Sequence, residues 1–155
     1  MAVDGRFKKF SKAVTVWLQS SADLIALTGH TSGDPRIGLT TRGSDTVRKY
    51  PSCVFWFERS LPAVPEVNVG LYESLLFVEA RATDEPTLFD IIEAVENLML
   101  HSVTEPSFTG SGVKTESIIN LGTSGDAFGE ADLVSSSKGA LQAILALRVF
   151  WRATT

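Results

Sequence analysis

Catalysis and metal binding need side chains that exchange protons, attack or ligate at defined spacings. The histidines are His30, in a turn-rich stretch, and His101, at the end of an expected helix. Neither shares a ligand spacing with the other or with Cys53, the only cysteine. His101 is explained as a helix-end residue, where an imidazole suits the negative pole of the dipole. Cys53 lies in the apolar run Cys53-Val54-Phe55-Trp56-Phe57, where a free thiol packs as a small hydrophobe rather than acting as a nucleophile. Gly110-Ser111-Gly112-Val113-Lys114-Thr115 superficially resembles a phosphate loop. Val113 separates glycine from lysine and the glycines are wrongly spaced, so a turn entering a strand fits better. Asp126, Glu130 and Asp132 are acidic but lack the alternating ligand positions and glycine of an EF-hand. Glu93 and Glu96 belong to the solvated side of a helix, and no catalytic, metal or cofactor site is expected. The chain reads as a non-enzyme.

The elements that carry these residues follow from periodicity. Phe7, Phe10, Val14, Trp17 and Leu18 recur at spacings of three and four, predicting a helix over 6–19 with Lys8, Lys9, Lys12 and Gln19 largely off its apolar stripe. Ser20 or Ser21 can cap a short helix over Ala22–Thr28, and Gly29 stops it. After the turn at Thr31-Ser32-Gly33-Asp34-Pro35 come a short strand over Arg36–Thr40 and a polar loop over Thr41–Lys49. Tyr50-Pro51 opens a strand over Ser52–Glu58, and the prolines of 61–65 mark a loop or strand end. Leu71–Ala82 is a long strand that buries Tyr72, Ser74, Leu76, Val78 and Ala80, because the alternate face carries Glu73, Glu79 and Arg81. Glu85–Leu100 is the clearest helix, with Asp84 as N-cap, Pro86 in the first turn and an apolar stripe of Leu88, Ile91, Ile92, Val95, Leu98 and Met99.

A loop over Thr104–Gly112 precedes a strand over Val113–Leu121, with Val113, Thr115, Ser117 and Ile119 expected on one side. Gly122–Gly139 is rich in Gly, Ser and Asp and reads as a mobile loop. Leu141–Arg152 closes the chain as a strand whose odd-numbered residues from Leu141 to Trp151 are apolar. Long strands with two main helices imply one α+β domain spanning 1–155, an antiparallel or mixed sheet packed on one face by those helices. Mobile loops are expected near 41–49, 61–70 and 122–139.

Totals are consistent with this. The chain has 155 residues, 44% hydrophobic and 21% charged, a soluble globular balance with enough length for a real core. Arg6, Lys8, Lys9 and Lys12 break the opening segment, so no secretory leader is expected, and no apolar run reaches a bilayer-spanning length. A lone cysteine rules out a disulfide within the chain and suits a reducing compartment. The net charge of −4 argues against a protein that grips nucleic-acid backbones. Residues 1–60 hold nine Lys/Arg and five Asp/Glu (+4), whereas residues 61–155 hold five and thirteen (−8).

The segment order resembles a known family. A leading helix runs into Val16-Trp17-Leu18-Gln19-Ser20-Ser21-Ala22-Asp23-Leu24-Ile25-Ala26-Leu27-Thr28-Gly29. A loop leads to Tyr50-Pro51-Ser52-Cys53-Val54-Phe55, followed by the strand Leu75–Ala82, the helix Thr87–Leu100 and a long last strand. Over roughly 13–150 this is similar to the tail-terminator and tail-completion proteins of long-tailed bacteriophages. Its motifs are patterns of residue class, and 61–70 and 122–139 depart from them. The resemblance implies a structural virion protein, assembled in the host cytoplasm, that forms a ring, usually hexameric, at the head-proximal end of the tail tube. Such a ring ends tube polymerisation and offers a docking surface to the head.

The implied partners are further copies of the chain, the tail tube protein, the head–tail connector or neck proteins, and genomic DNA passing through the lumen without sequence-specific contact. No membrane is implied. A closing ring needs two unlike, complementary surfaces on each subunit, which the uneven charge could supply. The expected interface residues are Arg6, Lys8, Lys9, Lys12, Arg42, Arg48 and Lys49 on the basic side, and Glu66, Asp126, Glu130 and Asp132 on the acidic side. An acidic lumen would let DNA slide. Two alternatives remain open: another head–tail joining protein of the same virion, distinguished by direct contact with the portal adaptor, and a small enzyme or ligand-binding domain, which would need a deep pocket holding Cys53, His30 or His101.

Overall fold

A computed structural model of the chain describes residues 5–39, 50–58, 61–62, 70–101, 112–125 and 141–153. Its first element, α1 (Arg6–Gln19), buries Phe10, Val14, Trp17 and Leu18 of the expected apolar stripe together with Ala13, whereas Phe7 is left 40% exposed. The Ser20 hydroxyl donates to the Trp17 carbonyl at 2.6 Å as the helix ends. Ser21 then caps α2 (Ala22–Thr28), its Oγ accepting the Leu24 N–H at 3.1 Å. Gly29 stops α2 in the left-handed conformation, at φ 71°, where a side chain would be strained.

The strands are β1 (Ile37–Leu39), β2 (Ser52–Phe57), β3 (Leu61–Pro62), β4 (Leu71–Ala82), β5 (Val113–Gly125) and β6 (Leu141–Ala153), with α3 (Glu85–His101) between β4 and β5. The main path of the sheet runs β1-β2-β4-β6-β5, and β3 pairs with β4. β1 and β2 are parallel, while β2, β3 and β6 are antiparallel to β4, and β5 to β6. The sheet is therefore mixed, in an α+β fold with three helices packed against it.

All three helices contact the sheet. The docking is aromatic at one end: the Phe10 ring stacks on Trp151 with centroids 4.9 Å apart and meets Phe57 edge-on at 5.0 Å. Beneath it, Trp151 Nε1 donates to Ser74 Oγ at 2.9 Å, which satisfies both buried polar groups across β4 and β6. Leu76, Val78 and Ala80 from β4 and Ala143, Leu145, Leu147 and Val149 from β6 are fully buried beside Leu88, Ile91 and Val95 of α3. Each Leu, Ile and Val among them contributes about 1.5–3 kcal/mol of transfer free energy. Asp84 caps α3 as expected, accepting the Thr87 N–H at 3.0 Å, and this hydrogen bond pulls its carboxyl below the usual value.

Several expectations need correction. Beside the two main helices, the short α2 also lies over the sheet and against α3. Leu61-Pro62, read as a loop or strand end, forms the two-residue β3 opposite Glu73 and Tyr72; as a short strand it tolerates the missing proline donor. The strand expected to stop at Leu121 continues to Gly125, so Gly122–Gly125 is paired with β6 rather than looped. Register shifts between Thr115 and Ser117 and between Asn120 and Gly122 interrupt β5. Consequently Ile118, not Ile119, packs against the core, and Ile119 is 43% exposed. The loops expected over 41–49, 63–69, 104–111 and 126–139 lie outside the described residues.

Candidate functional site

Cys53 and His30 both make contacts within the fold. Cys53 is fully buried on β2. Desolvation first, and the nearby Glu79 carboxylate second, push its thiol up to about 12, so the neutral SH prevails and the residue is no nucleophile. The His30 Nδ1 accepts the backbone N–H groups of Arg36 at 2.9 Å and Ile37 at 3.1 Å. It thereby fixes the entry to β1, and its ring proton resides on Nε2. Arg36 completes that corner, ion-paired to Asp34 at 3.0 Å and donating to the carbonyls of Tyr50 at 2.9 Å and Pro51 at 3.3 Å. His101 lies on α3 as expected, its side chain outside the described part. Gly112 is a turn residue and Lys114 and Thr115 begin a strand, not the helix a phosphate loop would need. Among the described residues, no group of three His, Cys, Asp or Glu side chains is placed to hold a metal ion.

The basic cluster on α1 divides in two. Arg6 turns inward over the Tyr72 and Phe7 rings, 4.9 Å from each centroid, with Nη1 3.5 Å from the Tyr72 hydroxyl. Lys9 is half-buried along Gly112, where a Cβ would come within 2.8 Å of its Cδ. Only Lys8 and Lys12 are left exposed, one turn apart and in line with exposed Val16. The other expected interface residues, Arg42, Arg48, Lys49, Glu66, Asp126, Glu130 and Asp132, lie outside the described residues.

Two further surfaces emerge that the sequence reading did not single out. One is a groove of about 350 Å³ between α2 and α3, lined by Asp23, Ala26, Leu27, Asp90, Glu93, Ala94 and Asn97. Its floor is small and apolar, and three carboxylates rim it. The repeat of Asp90 and Glu93 one turn apart was a visible signal, but the approach of Asp23 depends on how α2 packs against α3. The other is the sheet face opposite the helices, where Trp56 and Phe77 stack with centroids 5.5 Å apart. That face also carries two ion pairs. Arg81–Glu79 at 2.8 Å is nearly buried, and Arg148–Glu73 at 3.0 Å is exposed. β5 forms one edge of the main path, with Ile119 and Leu121 exposed.

No protein-family model matches the chain, and no curated protein is significantly similar to it. No helix among the described residues is long and apolar enough to cross a membrane.

Proposed function

We propose that this chain is a tail-terminator or tail-completion protein of a long-tailed bacteriophage: a structural subunit, not an enzyme, whose ring caps the head-proximal end of the tail tube. The ring ends tube growth and gives the head a surface on which to dock. The observation that carries the reading is where the resembling segments sit. Asp23-Leu24-Ile25-Ala26-Leu27 forms α2, anchored by the fully buried Leu24, while Tyr50-Pro51 immediately precedes β2. β4, α3 and β6 then complete one layered unit. Among the described residues the helices lie on one side of the sheet, and the edge strand β5 exposes Ile119 and Leu121 as a surface for neighbours on a rigid frame.

Subunits that close into a ring present two unlike surfaces to their neighbours, and the partners follow from position: other copies laterally, the tube protein on one side and neck proteins on the other. DNA would cross the lumen without sequence readout. The decisive experiment is assembly of tails in the absence of this chain, viewed by negative stain. Tubes of uncontrolled length that fail to join heads are expected. Length-defined tails would remove the assignment, and contact with the portal adaptor instead of the tube would move the chain to the neighbouring neck position.

A further inference from the structure

We propose that the groove between α2 and α3 receives α1 of a second copy of this chain, with Lys8 and Lys12 set against Asp23, Asp90 and Glu93. The inference rests on the ring reading above and names the contact that would close the ring.

Three observations favour this occupant. The first is charge. Lys8 and Lys12 are exposed and the groove rim is acidic, and none of these five groups takes part in an ion pair among the described residues. Complementary fields of this kind steer encounter and set register. The second is spacing. Residues four apart on a helix rise about 6 Å, and residues three apart about 4.5 Å. Two flexible lysine stems one turn apart can therefore meet Asp90 and Glu93, which are also one turn apart, and Asp23 faces them from α2.

The third is that one chain cannot make the contact with itself. Phe10, Val14, Trp17 and Leu18 hold α1 against the core, which turns Lys8 and Lys12 outward, and no α1 residue lines the groove. Exposed Phe7 and Val16 flank the lysines, while Ala26, Leu27 and Ala94 give the groove an apolar floor. Helices that seat in grooves place apolar side chains on an apolar floor, and Phe7 and Val16 are the large apolar side chains that α1 leaves exposed. Each copy carries one such helix and one such groove, so the contact is head-to-tail and can close.

The test is a charge swap on the full chain, read by sedimentation velocity at low and high salt, with circular dichroism confirming that every variant is folded. The wild type is expected to self-associate at low ionic strength and to dissociate as salt screens the pairs. Lys8→Glu/Lys12→Glu alone should lose association, as should Asp90→Lys/Glu93→Lys alone. An equimolar mixture of the two should regain it, because each variant's helix then matches the other's groove. A wild type that stays monomeric, a variant that assembles unaided, or a mixture that stays apart would overturn the proposal. The terminator reading is judged separately by tail length. Defined tails without the chain, alongside swap-restored association, would end that reading and leave the contact standing.

Discussion

Cys53 illustrates how burial decides the chemistry of a single group. Its side chain is fully enclosed on β2, and its pKa rises from 9.0 to about 12. The folded state therefore holds the thiol proton more tightly than the unfolded chain does. The resulting stabilisation is complete below pH 9.0 and is lost as pH climbs toward about 12. Chemical denaturation of wild type and Cys53→Ala across this window should show the wild type losing stability faster with rising pH. Parallel pH dependences would refute the assignment. The apolar run Cys53–Phe57 already pointed to a packed thiol, and that part of the site was legible in the sequence. The role of Arg36 was not, because its partners Tyr50 and Pro51 are brought to it only by the parallel pairing of β1 and β2.

At the scale of elements, packing separates two phenylalanines three residues apart. Phe10 is buried between Phe57 and Trp151, whereas Phe7 is 40% exposed. Phe10→Ala should cost about 3–5 kcal/mol, typical of a truncated core aromatic, while Phe7→Ala should cost far less. Equilibrium unfolding in urea measures both, and equal losses would contradict the docking of α1. Where periodicity is strong, the sequence anticipates the elements closely, as with α1, β4, α3 and β6. It fails in β5. Alternation put Ile119 on the same side as Val113 and Thr115, and the register shift after Thr115 turned Ile118 to that side instead. A bulge is chosen by how a strand meets its partner, and Thr115-Glu116-Ser117 carries no local mark of it.

For the whole molecule, the buried side chains of helices and sheet form one cluster that includes Trp17 and Trp151. Unfolding should therefore be a single transition, with tryptophan fluorescence and far-ultraviolet circular dichroism changing together along a denaturant series. Separated midpoints would indicate independent units. Fold class was readable from segment order, since long strands around a central helix leave few alternatives to a layered α+β sheet. The acidic groove was less readable. Glu93 reads in the sequence as a solvated position, and only the packing of α2 on α3 puts Asp23 on the same groove as Asp90 and Glu93.

The paired irregularities in β5 act together as two frame shifts. Up to Thr115 the odd-numbered residues point toward the helices. Between the shifts Ile118 and Asn120 lie opposite the inward-pointing Val149 and Leu147, and beyond Gly122 the odd-numbered Thr123 is back in phase opposite Leu145. One extra residue alone would have reversed the remainder of the strand. A second restores it and confines the reversal to a short cassette, which turns Ile119 and Leu121 outward. The strand thus starts in the core at Val113 and regains its phase by Thr123 while displaying two greasy side chains from its middle.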